Sequence, residues 1–217
     1  MISDPIRSRL VLVTTQLLDF DAEARMRAAL AGGDVASVLI DPAGRDDASF
    51  QRLAETLVPM IQAAGAAAII IDDSRAAGRV KADGLHLSGG DIAALGEAVA
   101  NYQPKLIVGA SGFETRHDAL EAGERMPDYI LFGRFGADAD PAPHRKSLAL
   151  AKWWAEVVDL PCILLAGGDL ETLETAADTG AEFIALSRAV FDEDGDPAAA
   201  VASANQTLDT VFERLAE

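Results

Sequence analysis

Eight short apolar runs rich in Val, Ile and Leu recur along the chain at nearly even spacing, and they constrain its fold more than any other feature. Mostly helical segments separate them, such as "DAEARMRAALAGG" at 21–33, where apolar residues recur at spacings of three and four. Strands that are apolar throughout are typical of a parallel sheet covered on both faces. The runs occupy residues 9–15, 35–41, 66–72, 84–87, 105–111, 129–135, 161–167 and 183–189.

Eight repeats of strand then helix in 217 residues predict an α/β protein, a closed (β/α)8 or TIM barrel in one domain spanning 1–217. A doubly wound open sheet is the alternative, but that fold usually needs fewer strands and a glycine-rich phosphate loop after the first. The segment that contains and follows the first run, "VLVTTQLLDFD" at 11–21, has no glycine. No linker, charge run or shift in composition indicates a second domain.

The charge of the chain limits its partners. Eighteen basic residues against 35 acidic ones give a formal charge of −17, which repels nucleic acid and anionic membranes. We therefore expect neither as a partner. An anionic small substrate remains compatible with this composition if a local positive site or a divalent cation offsets the general field.

Targeting and redox signals are also missing. The sequence has no signal peptide and no apolar run near eighteen residues, so we expect a soluble, cytoplasmic protein. Its one cysteine, Cys162, lies in the apolar run "PCILLAG", which excludes a disulfide framework and favours a buried, inert thiol.

Carboxylates follow two neighbouring strands at the predicted working face of the barrel. Asp72 and Asp73 end the third run, and Asp91 follows the fourth. Since the residues just after each strand meet at one rim, these side chains could converge on a hard cation such as Mg²⁺. They could equally cap the helices that follow, and Asp91 before "IAALGEAVA" is well placed to do so.

Glycines and an arginine follow the last two strands. "LLAGGDLETL" at 164–173 and "LSRAVF" at 186–191 predict a phosphate site in which Gly167, Gly168 and Ser187 supply backbone N–H groups and Arg188 a charge. The alternatives are a tight turn at the glycines and a surface ion pair at Arg188. Two such loops in the last two units of a barrel favour phosphate binding.

The segment 136–147, "GADADPAPHRKS", is the longest stretch without apolar periodicity and predicts a loop after strand six. An active-site lid and a tolerated surface insertion are both open. The loop holds the densest positive cluster of the chain, His144, Arg145 and Lys146, which suits either closure over an anion or plain solvation. His86, within strand four, is interpreted as a satisfied core or lumen residue.

Four segments together resemble the thiamine phosphate synthase and TenI superfamily of (β/α)8 barrels. They are "IIIDDSRAAGRVKADGLHLSGGD", "VGASGFETRHDALEAG", "DYILFGRFGAD" and "LLAGGDLETLETAADTGAEFIALSRAVF", and the similarity covers roughly residues 66–197. The resemblance implies joining of a pyrimidine diphosphate to a thiazole phosphate with Mg²⁺ and release of pyrophosphate, or, in the TenI branch, tautomerisation of the thiazole phosphate. It implies small phosphorylated partners and leaves a homo-oligomer open.

The resemblance also implies roles for individual residues. It makes Asp73 and Asp91 the Mg²⁺ ligands and places Asp72 where the family has the asparagine of an Asn-Asp pair. Ser111 matches the serine that faces the pyrimidine. The thiazole phosphate falls to Gly167 and Gly168 with the Ser187 and Arg188 turn, and Arg145 or Lys146 stands in for the lysine that closes over pyrophosphate.

Three departures from the family pattern bear on activity. The strand-two Gln-x-Arg-x-Lys pattern that grips the diphosphate is replaced by Leu39, Asp41 and Ala43, and the nearest cation is Arg45. The Thr-x-Thr-Lys pattern after strand six is missing. Phe113 stands where TenI members have a histidine. The alternative function is therefore a degenerate TenI-like paralogue that binds a phosphorylated thiazole or thiamine phosphate without synthase activity.

Overall fold

Eight parallel strands close into a barrel in strict chain order, which confirms the predicted (β/α)8 architecture. The structure is a computed structural model that describes residues 6–217; residues 1–5 lie outside the described part. The strands are β1 (Arg9–Val13), β2 (Ser37–Ile40), β3 (Ala67–Ile71), β4 (Gly84–Leu87), β5 (Ile107–Ser111), β6 (Tyr129–Phe132), β7 (Cys162–Leu165) and β8 (Phe183–Leu186).

Helices follow every strand and form the outer layer. They are α1 (Ala22–Ala31), α2 (Asp47–Ala63), α3 (Ser74–Val80), α4 (Ile92–Tyr102), α5 (Arg116–Gly123), α6 (Arg145–Val157), α7 (Leu173–Ala177), α8 (Arg188–Phe191) and α9 (Pro197–Ala216). Short 3-10 turns at Thr14–Gln16 and Leu170–Thr172 precede α1 and α7. None of the helices described here has the length and apolarity needed to cross a membrane.

Closure comes from the pairing of the first strand with the last. Leu10 lies opposite Ile184, and Leu12 lies opposite Leu186. The closed sheet leaves no free edge, and it brings the carboxyl ends of all eight strands to one rim. Six of the eight strands, all except β4 and β5, end before their apolar runs do, because the last residues of those runs already belong to the loops and helices of that rim.

The core has two layers because successive side chains on a strand point to opposite faces. Val11, Ile69 and Ile163 lie in the cluster inside the barrel. Leu10 and Ile70 belong to the cluster between the sheet and the helices. Cys162 lies in this outer layer and is fully buried, as predicted, and burial raises the pKa of its thiol.

A glycine in β5 makes room for an aromatic ring inside the barrel. A Cβ placed on Gly109 lies 2.0 Å from Cζ of Tyr129, a separation at which the ring has to move. Tyr129 is itself 5% exposed and packs among the interior residues. Gly109 therefore fixes the position of the Tyr129 hydroxyl, which contributes to the site described below.

We predict that Gly109→Ala lowers the free energy of unfolding by about 2 kcal/mol, because the added methyl overpacks a closed interior. Gly78 in α3 is the matched control, since it is exposed and a Cβ there meets nothing within 4 Å. Gly78→Ala should raise the stability by about 0.5–1 kcal/mol. Urea denaturation of the two variants checks this, and a Gly109→Ala protein as stable as the parent contradicts the packing argument.

Candidate functional site

A cleft of about 420 Å³ opens at the carboxyl ends of β4 to β7. This is the rim where (β/α)8 enzymes place their active sites. Apolar, hydroxyl and charged side chains share its wall, which suits a small aromatic ligand with an anionic group. The lining residues are Ser88, Ser111, Gly112, Phe113, Glu114, Phe132, Gly133, Arg134, Phe135, Ala137, Ala142, His144, Lys146, Ser147, Leu150, Leu165 and Ala166.

Beneath the cleft, three buried polar side chains form a hydrogen-bonded chain. His86 Nε2 lies 2.9 Å from Ser111 Oγ, and His86 Nδ1 lies 3.0 Å from the hydroxyl of Tyr129. His86 is fully buried, and this burial lowers its pKa from 6.5 to about 3. The imidazole is therefore neutral at physiological pH, as expected of a buried histidine whose partners carry no charge.

The direction of the hydrogen bonds follows from Tyr129. Burial raises the pKa of its phenol, so the hydroxyl keeps its proton, and His86 is its only side-chain partner in the described part of the chain. Since a buried hydroxyl donates where it can, we assign the Tyr129 O–H as donor to Nδ1, which places the ring proton on Nε2. Nε2–H then donates to Ser111 Oγ, and the hydrogen of Ser111 is free to donate into the cleft.

Aromatic side chains form one wall and cations the rim. Phe113 is buried, and the ring of Phe135 meets His86 edge-on at 5.4 Å between centroids. Lys146 Nζ pairs with Glu114 at 2.9 Å, with side-chain exposures of 52% and 81%. An ion pair this exposed contributes at most about 1 kcal/mol, so Lys146 can exchange Glu114 for a bound anion at little cost.

The sequence analysis placed Arg145 and Lys146 in a loop, whereas the structure places both in a helix. The loop after β6 ends at His144, and α6 begins at Arg145 because Leu150, Ala151 and Trp154 bury one face of the helix. Lys146 lines the cleft, whereas Arg145 is not among the lining residues. Of the expected positive cluster, His144 and Lys146 line the cleft and Arg145 does not.

The carboxylates after β3 and β4 do cap helices. Asp73 accepts a hydrogen bond from the N–H of Ala76, and Asp91 Oδ1 accepts from the N–H groups of Ala93 and Ala94. Within residues 6–217 no group of three or more His, Cys, Asp or Glu side chains is arranged to hold a metal. Mg²⁺ needs only one or two carboxylates when waters and substrate phosphates complete its shell, so the donor set fits.

Asp72 holds the neighbouring loop. Its carboxylate accepts hydrogen bonds from both the backbone N–H and the hydroxyl of Ser88. Asp72 adopts a φ of +57°, a conformation in which Asn and Asp are enriched among non-glycine residues. Because Ser88 lines the cleft, Asp72 shapes the wall of the site through this loop.

The end of β2 is closed to an incoming anion. Asp41 accepts hydrogen bonds from Thr15 Oγ1 at 2.5 Å and from the N–H of Ala43 at 2.9 Å. Arg45 donates from Nε to Asp19 at 2.6 Å and from an Nη to the carbonyl of Leu17 at 2.6 Å. Its side chain is 12% exposed. Arg45 is therefore committed to partners within the chain rather than free to bind an anion.

The turns after β7 and β8, residues 167–169 and 187–188, are here called the cradle. The loop at 133–144 covers them. The N–H of Gly168 donates to the carbonyl of Asp140 at 2.9 Å, that of Asp169 to the carbonyl of Pro141 at 3.2 Å, and that of Arg188 to the carboxylate of Asp138 at 2.7 Å. Gly167 permits this contact, since a Cβ there lies 2.0 Å from the carbonyl oxygen of Pro141.

The remaining cradle residues have structural partners as well. Ser187 Oγ accepts from the N–H of Gln16 at 3.3 Å. Arg188 has an Nη 3.8 Å from Asp192, so the surface ion pair considered for it is present in a weak form. The structure brings Gly167, Gly168, Ser187 and Arg188 together at one rim, and the N–H groups of Gly168 and Arg188 are bound to acceptors of the chain itself. Phosphate binding by these residues stays a prediction.

Sequence reasoning did not identify His86, Tyr129 or Asp138 as site residues. His86 matched the prediction of a satisfied lumen residue, but the polar chain to Ser111 gives it a role at the cleft. Tyr129 begins an apolar strand and has no signal of its own. The run "GADAD" contains two aspartates two positions apart, and only the fold shows that the first is buried and the second exposed.

The sequence and the architecture of this chain are similar to those of known proteins. The model of a family described as "Thiamine monophosphate synthase" matches residues 10–190. A thiamine-phosphate synthase of Rhodospirillum centenum is 34% identical over 204 residues, covering 92% of this chain and 97% of the relative. One of Hyphomonas neptunium is 32% identical over 217 residues, covering 97% and 96%.

Solved structures agree on the fold. A thiamine phosphate pyrophosphorylase from Pyrococcus furiosus superposes with a TM-score of 0.76 at 23% identity, covering 94% of this chain and 96% of that chain. At this identity the comparison supports the barrel architecture only.

The neutral state of His86 predicts how stability depends on pH. Below about pH 6.5 the unfolded chain protonates this histidine, whereas the folded protein does so only near pH 3. As the pH falls from 6.5 to 4.5, this residue alone therefore lowers the free energy of unfolding by about 2 kcal/mol. Urea denaturation at pH 7 and pH 4.5 should show a smaller loss for His86→Gln than for the parent. The exposed His117 is the control, and a His117→Gln variant that matches His86→Gln contradicts the assignment.

Proposed function

Because this chain belongs to the thiamine monophosphate synthase family, we propose that it condenses hydroxymethylpyrimidine diphosphate with thiazole phosphate to give thiamine phosphate and pyrophosphate. The observation that carries the proposal is the position of Ser111. Its hydroxyl lies at the base of an aromatic-walled cleft and is held by the neutral His86, where the family resemblance expects the serine that faces the pyrimidine.

In this reaction the thiazole nitrogen forms a bond to the exocyclic methylene carbon of the pyrimidine. The bond between that carbon and the diphosphate oxygen breaks, and its electron pair leaves with pyrophosphate. The protein has little covalent chemistry to perform. Its task is to position the two rings, exclude water and stabilise the charge on the leaving group.

Ser111 orients the pyrimidine in this proposal. Since Nε2–H of His86 donates to Ser111 Oγ, the serine hydrogen is available to donate to a ring nitrogen of the pyrimidine. The phenol of Tyr129 fixes the tautomer, so the arrangement is set before the substrate arrives. Phe113 and Phe135 exclude water from the methylene carbon, which protects an electron-poor centre from hydrolysis.

Mg²⁺ is the cofactor we propose, with Asp73 and Asp91 as its protein ligands. Each carboxylate uses Oδ1 to cap a helix, and their second oxygens make no hydrogen bond within the described residues. When bound, the ion neutralises the diphosphate and stabilises the departing pyrophosphate. Asp72 does not bind the ion in this proposal but holds Ser88 in the wall of the cleft by hydrogen bonds.

Lys146 supplies the positive charge of the protein in this proposal. It lines the cleft, its pairing with Glu114 is exposed, and Arg134 lines the same wall. Arg145, one residue before it, does not line the cleft in this structure. We therefore propose Lys146 rather than Arg145 for the role of the family lysine that closes over pyrophosphate.

A second candidate is a TenI-like paralogue that binds a phosphorylated thiazole or thiamine phosphate without turning it over. The closed end of β2 favours it, because Asp41 replaces the expected arginine and Arg45 is committed to Asp19 and Leu17. A negative charge at a diphosphate site opposes binding unless a cation compensates it.

An end-point assay with thiazole phosphate, pyrimidine diphosphate and Mg²⁺ distinguishes the two candidates. We expect thiamine phosphate and pyrophosphate in equal amounts, above a control without protein. Thermal stabilisation by thiazole phosphate in the absence of any product indicates the paralogue. If neither product nor stabilisation is found, both candidates are wrong.

Asp91 allows capping and metal binding to be separated. Asparagine caps helices as well as aspartate, so Asp91→Asn should leave the free energy of unfolding within about 0.5 kcal/mol of the parent. We expect it to lower turnover at limiting Mg²⁺ by about 100-fold, since a charged ligand is lost. Steady-state rates across a Mg²⁺ titration provide the measurement.

Asp196 is the matched control for Asp91. Its Oδ1 accepts from the N–H groups of Ala198 and Ala199 at the start of α9, the same bonding pattern as at α4. Asp196→Asn should keep both stability and turnover. If Asp91→Asn is as active as Asp196→Asn at every Mg²⁺ concentration, Asp91 is a helix cap and not a metal ligand.

A further inference from the structure

Asp138 is a buried carboxylate that forms no ion pair with any residue in 6–217. It is 3% exposed, and its Oδ2 accepts the N–H of Arg188 at 2.7 Å. Within residues 6–217 its Oδ1 is buried without a hydrogen-bond partner, and so is Nε of Arg188. No ion pair between the two side chains is formed in the described structure. The carboxylate thus rests on a backbone N–H group.

That N–H group belongs to the cradle. Two further N–H groups of the cradle, those of Gly168 and Asp169, are bound to the carbonyl oxygens of Asp140 and Pro141. One segment, residues 138–141, therefore supplies three oxygen acceptors to three backbone donors. This is the bonding that a phosphate group makes with backbone N–H groups, performed here by the chain itself.

We propose that Asp138 is a built-in competitor for phosphate, whose carboxylate fills the cradle and has to be displaced when a phosphorylated ligand binds. The inference rests on the proposed function, because it concerns the thiazole phosphate half of that site. Asp138 then lowers the affinity for the phosphate group, whereas a residue that binds phosphate raises it.

The packing shows that the contact is built in. A Cβ on Gly168 lies 2.8 Å from the carbonyl oxygen of Asp138, so only glycine allows the 133–144 loop to approach this closely. Thr172 Oγ1 donates to the carbonyl of Pro141 at 2.8 Å and holds the far end of the segment. The loop therefore sits on the cradle through several bonds.

The same contact is incompletely satisfied, which makes exchange for phosphate favourable. A buried oxygen and a buried guanidinium nitrogen without partners are both costly. A phosphate group has more acceptor oxygens than a carboxylate and carries more charge, so it can accept the N–H of Arg188 and also pair with its guanidinium. When phosphate displaces the Asp138 carboxylate, one anion replaces another on the same N–H donors of the cradle. The loop at 133–144 has to open for this exchange.

Asp140 provides a matched control two residues away. It lies in the same loop and is exposed, and it contacts the cradle through its backbone carbonyl rather than its carboxylate. Asp138→Asn and Asp140→Asn remove the same charge from the same loop. Only the first removes the anion from the cradle, and its amide oxygen can still accept the N–H of Arg188.

The experiment is isothermal titration of the parent and both variants with inorganic phosphate and with thiazole phosphate at fixed ionic strength. We expect Asp138→Asn to bind both probes about tenfold more tightly than the parent, and Asp140→Asn to stay within about twofold. Asp138→Ser, which is too short to reach Arg188, should bind at least as tightly as Asp138→Asn. Circular dichroism confirms that each variant is folded.

If Asp138→Asn and Asp140→Asn change the affinity equally, the loss of a negative charge explains the result and the proposal is overturned. An unchanged or weaker affinity of Asp138→Asn and Asp138→Ser overturns it as well. Lack of phosphate binding by all four proteins overturns it too, because the cradle is then not a phosphate site. The condensation assay is read separately. Tighter binding by Asp138→Asn without product in any variant leaves this inference standing and refutes synthase activity alone.

Discussion

Closure of the parallel sheet is the constraint on which the rest of the molecule depends. Because β1 pairs with β8, every strand ends at one rim, and residues distant in sequence become neighbours there. Asp138 and Arg188, fifty positions apart, meet in this way. So do His86 and Ser111, which lie on adjacent strands. The barrel supplies rigidity, and the loops after its strands supply the chemistry.

Inside the barrel, the same closure produces a neutral polar chain. Gly109 leaves space for Tyr129, Tyr129 fixes the tautomer of His86, and His86 orients Ser111. A histidine exposed to water titrates close to neutral pH, whereas burial keeps His86 uncharged. Within this hydrogen-bonded group of side chains, the serine hydrogen is the one that remains free to donate into the cleft.

The sequence was sufficient for the barrel and for part of the site. Apolar period and spacing predicted all eight strands, and the family motifs placed Ser111 and the cradle at the rim where the strands end. Lys146 was expected in a loop and lies instead in the first turn of α6. The hydrogen bonds that link Ser111 through His86 to Tyr129 were not predictable, because Tyr129 looks like any other apolar strand residue in the sequence. Nor was Asp138, since the burial of one aspartate in "GADAD" depends on where the loop folds back. Capping and metal binding by Asp91 share one pattern, so sequence alone left both open.

The two positions where the family resemblance expects phosphate groups both hold carboxylates of the chain. Asp41 lies at the end of β2, bound by Thr15 and Ala43, and Asp138 lies on the cradle, bound by Arg188. In a chain of charge −17, such carboxylates add to an already unfavourable field for anions. The compensating charge therefore has to be local, from Lys146 and Arg134 or from a divalent cation at Asp73 and Asp91. We therefore expect affinity for phosphate in this protein to depend on how readily these acidic groups are displaced or neutralised, rather than on the number of basic residues.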